Sequence, residues 1–350
     1  MKVLMVLRPM AGGMRTVTDQ YMTLLVAAGV EVVAAGPRGS LPPNVPGQAL
    51  EMFPYGRSSR QLVELAASFR PDLLHAHGLQ AGLASLSCPV PIVYTLHGFA
   101  PSGPVGGLFR ILEARVMRQA KALSATSAKL AADAAQRSGR AVSTLPVAVS
   151  LPANTQRRQQ SAGPVLGILA RLTAEKGLDV ALSAFARFLR AEPDARLLIG
   201  GDGPLAGALS QLVVASGLQD QVQFLGWVEP ATFYRQIDLY TQPSRQEGLG
   251  LAAREAVAWG LPVVASEVGG LPEACGDGLW ARYVPPGDAT ALATAWQEML
   301  ALDQTQLAEA GRRWAHSVAG PDAVSQALFA LYRLALLESP IERGKQRLPA

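Results

Sequence analysis

Pro164-Val165-Leu166-Gly167-Ile168-Leu169-Ala170-Arg171-Leu172-Thr173-Ala174-Glu175-Lys176-Gly177 is the stretch that decides the fold. An apolar run from Pro164 to Ala170 ends in a loop carrying two cations, and a helical pattern over about 175–190 follows. A strand that is apolar throughout is buried on both faces, and such strands belong to parallel sheets covered by helices. Outward toward the C-terminus the alternation continues. Strands are expected at Arg196–Ile199, Val222–Leu225 and Leu261–Ala265, with a helix over 204–216 and mainly helices after 288. Toward the N-terminus, strands are expected at Val3–Leu7, Val30–Ala34, Asp72–His75, Pro91–Thr95 and Ala122–Ala125, with helices near 15–28 and 107–120.

The alternation therefore runs twice. The expected class is α/β, with two doubly wound Rossmann-like domains facing a cleft. The first covers 1–150 and the second 164–320. The polar stretch 151–163 reads as a linker, and 321–350 as a helix and polar tail that packs back on the first domain.

At 350 residues, 49% hydrophobic and 17% charged, a disordered or collagen-like chain is excluded. Two cysteines, Cys88 and Cys275, are too few for a disulfide framework and fit a reducing, cytoplasmic setting. The opening Met1-Lys2-Val3-Leu4-Met5-Val6-Leu7-Arg8-Pro9 has no cleavage site of small residues and reads as a first strand, not a signal peptide. No apolar run is long enough to span a membrane. Residues 1–163 carry 16 Lys/Arg against 7 Asp/Glu, whereas residues 164–350 carry 15 against 20. A basic first half suits an anionic partner such as a phosphorylated small molecule or a lipid surface. Within it, 108–121 forms a helical wheel with Leu108, Phe109, Leu112 and Val116 on one side and Arg110, Arg118 and Lys121 on another.

Chemistry is expected at the carboxyl ends of the strands. Gly12 and Gly13 follow the first strand and open a helix, a place where backbone N–H groups can meet an anion. Arg171 and Lys176, in one strand–helix loop, suit a diphosphate. Glu247 sits in a glycine-containing loop, with Gly248 and Gly250, before a helix that carries Glu255 about two turns in. A separation of eight residues keeps the two carboxylates from sharing one proton and lets them address two ends of an extended ligand. Gly201-Asp202-Gly203-Pro204-Leu205-Ala206 fits a dinucleotide fingerprint, but Pro204 removes a needed N–H and the motif opens neither domain. His75 and His77 are expected on opposite faces of their strand, which speaks against a metal site with His97, and His97 is the better single candidate for catalysis. No Asp-x-Asp, P-loop or Gly-x-Ser-x-Gly occurs.

Taken together, Phe224-Leu225-Gly226-Trp227-Val228, Asp238-Leu239-Tyr240, Pro243 to Gly250 and Glu255 to Ser266, continuing into Gly269-Gly270-Leu271-Pro272-Glu273, resemble the retaining glycosyltransferase family 4 with the GT-B fold. The resemblance implies transfer of a sugar from a nucleoside diphosphate sugar to a hydroxyl acceptor, with no metal and no cofactor. It implies that Arg171 and Lys176, with Gly12 and Gly13, bind the donor diphosphate. Glu255 takes the ribose hydroxyls, Glu247 contacts the donor sugar beside Gly248 and Gly250, and His97 lies near the reacting sugar. Glu247 and His97 are thus the catalytic candidates, and Arg15 and His77 are candidates for the acceptor side. The acceptor is expected to be anionic or lipid-linked, with peripheral contact at the inner face of a membrane. At the domain junction Leu145-Pro146-Val147-Ala148-Val149-Ser150 lacks the Asn and Gly of the Pro-Asn-Gly-Val-Asp string that many relatives carry. The competing readings are a nucleotide-sugar epimerase on the same fold, an NAD-dependent dehydrogenase using Gly201–Ala206, and a binding module without turnover.

Overall fold

The computed structural model describes residues 1–9, 13–50, 55–100, 103–149 and 163–337. These form two compact units. One comprises Met1–Thr126, Ala131–Leu145 and the chain from Val324 on, and the other Ser127–Leu130 and Pro146–Ala323.

The elements of the N-terminal part are β1 (Lys2–Leu7), α1 (Gly13–Ala27), β2 (Glu31–Gly36), β3 (Gly47–Ala49), α2 (Tyr55–Phe69), β4 (Leu73–His77), α3 (Leu79–Ser85), β5 (Ile92–Leu96), α4 (Gly103–Gln119), β6 (Ala122–Ala125), α5 (Ala128–Ser138) and β7 (Ser143–Thr144). All strands are parallel, in the order β3-β2-β1-β4-β5-β6-β7. Strand order reverses direction between β1 and β4. In open α/β sheets that is where ligands bind, outside the carboxyl ends.

The second unit repeats the plan with β8 (Val165–Leu169), α6 (Leu178–Phe188), β9 (Arg196–Gly200), α7 (Ala206–Ala215), β10 (Val222–Gly226), α8 (Pro230–Tyr234), β11 (Leu239–Gln242), α9 (Leu251–Ala258), β12 (Val263–Ser266), α10 (Leu271–Cys275), β13 (Ala281–Val284), α11 (Ala289–Leu300) and α12 (Gln304–Ala319). Its sheet order is β10-β9-β8-β11-β12-β13, parallel throughout, with the reversal between β8 and β11. Phe185, Phe188 and Trp296 are fully buried in its core, and each contributes about 2–3 kcal/mol of burial. The Trp296 indole also donates to Thr241 Oγ1 at 3.1 Å, which anchors β11 from behind. Asp288 and Asp303 accept from the first free amides of α11 and α12, the reason those helices start where they do.

The last helix, α13 (Pro321–Leu337), buries Val324, Leu328, Leu331, Tyr332 and Ala335. From Val324 on it belongs to the first unit. Residues 151–162 and 338–350, which include nearly all of the expected linker and the polar tail, lie outside the described residues.

On α4 the apolar side of the wheel is only partly covered. Val116 is buried and Phe109 and Leu112 are half-buried, but Leu108 is 59% exposed. Val105 and Ile111 are exposed as well, at 71% and 68%. The sheet takes only a narrow stripe of this helix, with Glu113 and Met117 beside Val116, so the remaining apolar residues stay outside.

Candidate active site

At the second reversal point two loops meet. The loop after β8 carries Arg171 and a single 3-10 turn, Ala174–Lys176, closed by Gly177 at φ +65°. Glycine is required there, because a Cβ would overlap the Pro243 carbonyl of the neighbouring loop. The loop after β11 answers with backbone and side chain. Arg245 N and Gln246 N donate to Glu175 O at 2.8 and 3.3 Å, and the Arg245 guanidinium holds the Asp179 carboxylate through two bonds of 2.8 and 2.6 Å. This lacing brings Lys176 Nζ to 2.6 Å from Glu247 Oε2, although the two are 71 residues apart. Both side chains are mostly buried.

Glu247 Oε2 also accepts from Gln242 Nε2 at 3.1 Å and Ser244 Oγ at 3.3 Å. Gln242 is set in turn by the Tyr240 hydroxyl, which donates to its Oε1 at 2.5 Å and lies 3.2 Å from Leu169 O. The carboxylate is thus oriented by a network rooted in β8 and β11. Arg171 is exposed and pairs with Glu175 at 3.2 Å.

Gly250, at φ +95°, ends the loop and caps α9. Glu255 is the fifth residue of that helix, one turn inside it and not two. Its Oε2 accepts from the Tyr234 hydroxyl at 3.0 Å. Burial, reinforced by the nearby Glu229 charge, pushes its carboxyl up to about 7. A carboxylate poised there can turn into an acceptor for ligand hydroxyls without a large change of surroundings.

The Gly201–Ala206 turn is spoken for. Gly201 N donates to Gly226 O at 2.7 Å, Gly203 N to Asp202 Oδ1 at 2.7 Å, and Leu205 N to Leu172 O at 3.0 Å. Asp202 O accepts from Leu172 N at 3.0 Å. Leu205 N and Asp202 O hold the Arg171 loop at Leu172, and the Gly201 and Gly203 amides are already engaged elsewhere, so the turn is a scaffold.

In the first unit, β1, β4 and β5 end side by side. Gly13 starts α1 and is exposed, while Gly12 lies outside the described residues. Arg15 donates to Gly39 O at 2.8 Å and approaches Asp19 at 3.6 Å. His75 and His77 share one face, with ring centroids 4.1 Å apart. The expectation of opposite faces is corrected, since side chains alternate with a period of two and residues two apart point the same way. His77 Nδ1 lies 2.9 Å from His97 Nε2. His75 is held by the Tyr332 hydroxyl at 2.9 Å and by Thr95 Oγ1 at 2.6 Å, and Thr95 is linked to Ser124 at 2.7 Å.

Burial and its neighbours keep these imidazoles uncharged. His75 is brought down to about 3 by burial and then by His97, and His97 to about 3 by burial and then by the Arg8 charge. His77 is lowered by burial and by both other histidines. With both nitrogens of His75 engaged, the trio does not converge on an ion. Among the described residues no group of three His, Cys, Asp or Glu side chains is placed to hold a metal.

Arg8, Thr95, Tyr234, Gln242 and Tyr332 complete these constellations and were not candidates from sequence. Gln242 immediately precedes the quoted Pro243–Gly250 stretch and Ser244 lies within it, so that stretch was the available signal for both. Nothing local marks Tyr234 or Tyr332.

Residues 163–302 match the glycosyl transferases group 1, and residues 12–150 a glycosyl transferase 4-like domain. The chain is 30% identical over 290 residues to the 2-deoxystreptamine glucosyltransferase of Streptomyces kanamyceticus, covering 73% of this chain and 75% of that protein. It is 34% identical over 187 residues to the D-inositol 3-phosphate glycosyltransferase of Segniliparus rotundus, covering 49% of this chain but only 40% of that longer protein. The crystal structure of HepE from Anabaena in complex with UDP-glucose superposes with a TM-score of 0.81 at 20% identity, over 95% of this chain and 100% of that one. Two parallel sheets of this order, matched over both halves and along three quarters of a relative, identify the chain as a member of the glycosyl transferases group 1, with the GT-B fold.

Proposed function

We propose that this chain transfers a hexosyl group from a nucleoside diphosphate sugar to a hydroxyl acceptor, with retention at the anomeric carbon. The observation that carries the reading is the meeting of Lys176 and Glu247 at the reversal point of the second sheet, with Glu255 one turn inside α9. Lys176 and Arg171 offset the charge that grows on the departing diphosphate. Glu255 binds the ribose hydroxyls, and Glu247, beside Gly248 and Gly250, those of the donor sugar. His97, Gly12 and Gly13 take part in the same reaction, as the family resemblance implies. The departing phosphate accepts the acceptor proton in a same-face attack, so no carboxylate nucleophile and no divalent ion is required.

A panel of nucleoside diphosphate sugars tests this, screened by thermal shift and then by NMR of the product anomer. A bound donor raises apparent stability by mass action. No stabilisation by any member, an inverted product, or turnover lost in EDTA and restored by Mn²⁺ would each remove part of the reading.

The acceptor we assign is anionic and lipid-linked. Val105, Leu108 and Ile111 stand out of α4 into solvent, and Arg110, Arg115 and Arg118 are exposed on the same helix. An apolar wedge beside cations suits an anionic lipid surface. No helix among the described residues is long and apolar enough to cross a membrane. Cosedimentation with anionic but not neutral vesicles, weakened by salt and by Ile111→Ser, is the expected result. Equal recovery in the supernatant with both vesicle types would point to a soluble acceptor.

A further inference from the structure

We infer that His77 is a positioning residue, donating its Nδ1 proton to His97 Nε2 and so holding His97 as the tautomer that carries its own proton on Nδ1. The inference rests on the placement of His97 in the reaction proposed above, but its first readout does not.

The argument starts from the 2.9 Å contact between His77 Nδ1 and His97 Nε2. Two uncharged imidazoles at that distance share one bridging proton, which belongs to one ring or the other. The deciding atom is His77 Nε2. It is buried and makes no hydrogen bond among the described residues. If His97 supplied the bridging proton, the one proton of His77 would sit on Nε2 as a buried, orphaned N–H. Buried N–H groups without a partner are the rarer and costlier arrangement, whereas a bare ring nitrogen leaves only a lone pair unsatisfied. His77 therefore keeps its proton on Nδ1, where it has an acceptor. His97 accepts at Nε2, and its single proton falls on Nδ1.

The ring of His77 is kept from turning. It lies tilted against His75, with centroids 4.1 Å apart and the ring planes at 36°, and His75 is pinned at both nitrogens by Tyr332 and Thr95. Tyr21 is a further ring neighbour, with centroids 6.1 Å apart. Tyr332, His75, His77 and His97 form one series running from α13 to the end of β5. At its end His97 presents an N–H donor at Nδ1, the polarity needed to meet an oxygen lone pair of a sugar hydroxyl.

The test is long-range ¹H–¹⁵N correlation NMR on histidine-labelled full-length protein, which carries four histidines assignable by single substitution. The expected result is a protonated Nδ1 and a bare Nε2 on His97, and the reverse on that ring overturns the inference. His77→Phe keeps the ring volume and removes the donor, and His97 should then populate both tautomers. His77→Asn retains an N–H near the Nδ1 position and should restore the single one. With the donor returned by the thermal-shift panel, His77→Phe should lose about tenfold or more in kcat with KM within about twofold, and His77→Asn should recover most of it. A His97 tautomer unchanged in His77→Phe overturns the inference. A shifted tautomer with unchanged kcat upholds the proton assignment and counts against His97 in the proposed reaction. If His77→Phe fails to fold, the wild-type spectrum and His77→Asn still decide.

Discussion

Lys176 Nζ and Glu247 Oε2, joined at 2.6 Å across the carboxyl ends of β8 and β11, are a cation and an anion that satisfy each other. A diphosphate and a sugar would take one each. In the proposed reaction the ammonium would turn to phosphate oxygens, and the carboxylate, still held by Gln242 and Ser244, would be free for sugar hydroxyls.

That exchange separates two variants. Lys176→Ala should weaken binding of the free nucleoside diphosphate by about 10–100-fold, the worth of a charge-assisted hydrogen bond. Glu247→Gln should leave that affinity within about threefold but lower kcat by about 100-fold or more. Isothermal titration with the nucleoside diphosphate, set beside turnover, checks both. Equal losses of diphosphate affinity in the two variants would contradict the division of labour.

Glu255 predicts a stability profile. Its carboxyl is raised from an ordinary value near 4.5 to about 7 by burial, so the folded state favours the protonated form. The contribution is complete below about 4.5 and is lost as pH rises through 7, amounting to about 3 kcal/mol. Glu255→Gln should therefore gain stability relative to the parent between pH 5 and 8, while binding donor more weakly. Paired thermal melts across that range would show a difference that grows with pH. A difference independent of pH would contradict it.

Tyr332→Phe removes one hydroxyl from the back of the histidine series. His75 Nδ1 is then a buried nitrogen without a partner, at a cost of about 1–3 kcal/mol. Denaturant unfolding should show that loss with nucleoside diphosphate affinity unchanged.

Gly177→Ala places a Cβ against the Pro243 carbonyl at a residue with φ +65°. The β8 and β11 loops must separate, and Lys176 loses its register with Glu247. Donor affinity should fall along with stability, by about 1–3 kcal/mol for the strained backbone alone. Retention of full donor affinity would show that the loop contact does not place Lys176.

Much of the architecture could be read directly. Val3–Leu7 and Val165–Leu169 announce themselves as apolar runs, and two series of such runs give two parallel sheets. β11 and β13 did not, because Leu239-Tyr240-Thr241-Gln242 and Ala281-Arg282-Tyr283-Val284 are four residues each and mix polar with apolar. α3 and α5 were missed because much of what they bury is alanine and glycine, which carry little periodic signal. The Lys176 and Glu247 candidates came from loop position and family likeness, but their contact depends on Gly177 and the Arg245–Asp179 pair. Contacts across 71 residues leave no local trace. The histidine series was hidden by a misjudged strand period, and its last member, Tyr332, sits on a helix 257 residues from His75.

The return of α13 to the first sheet has a consequence for how the protein is made. The first unit opens the chain, yet Val324, Leu328 and Tyr332, which complete its buried face, are synthesised after the whole second unit. Ribosomal synthesis delivers N-terminal residues first. The first sheet must wait with an uncovered apolar stripe until about 180 further residues have emerged, the distance from Leu145 to Val324. The unit that begins first is closed last, and a nascent chain halted before α13 would present that stripe, and the imidazole of His75, to chaperones.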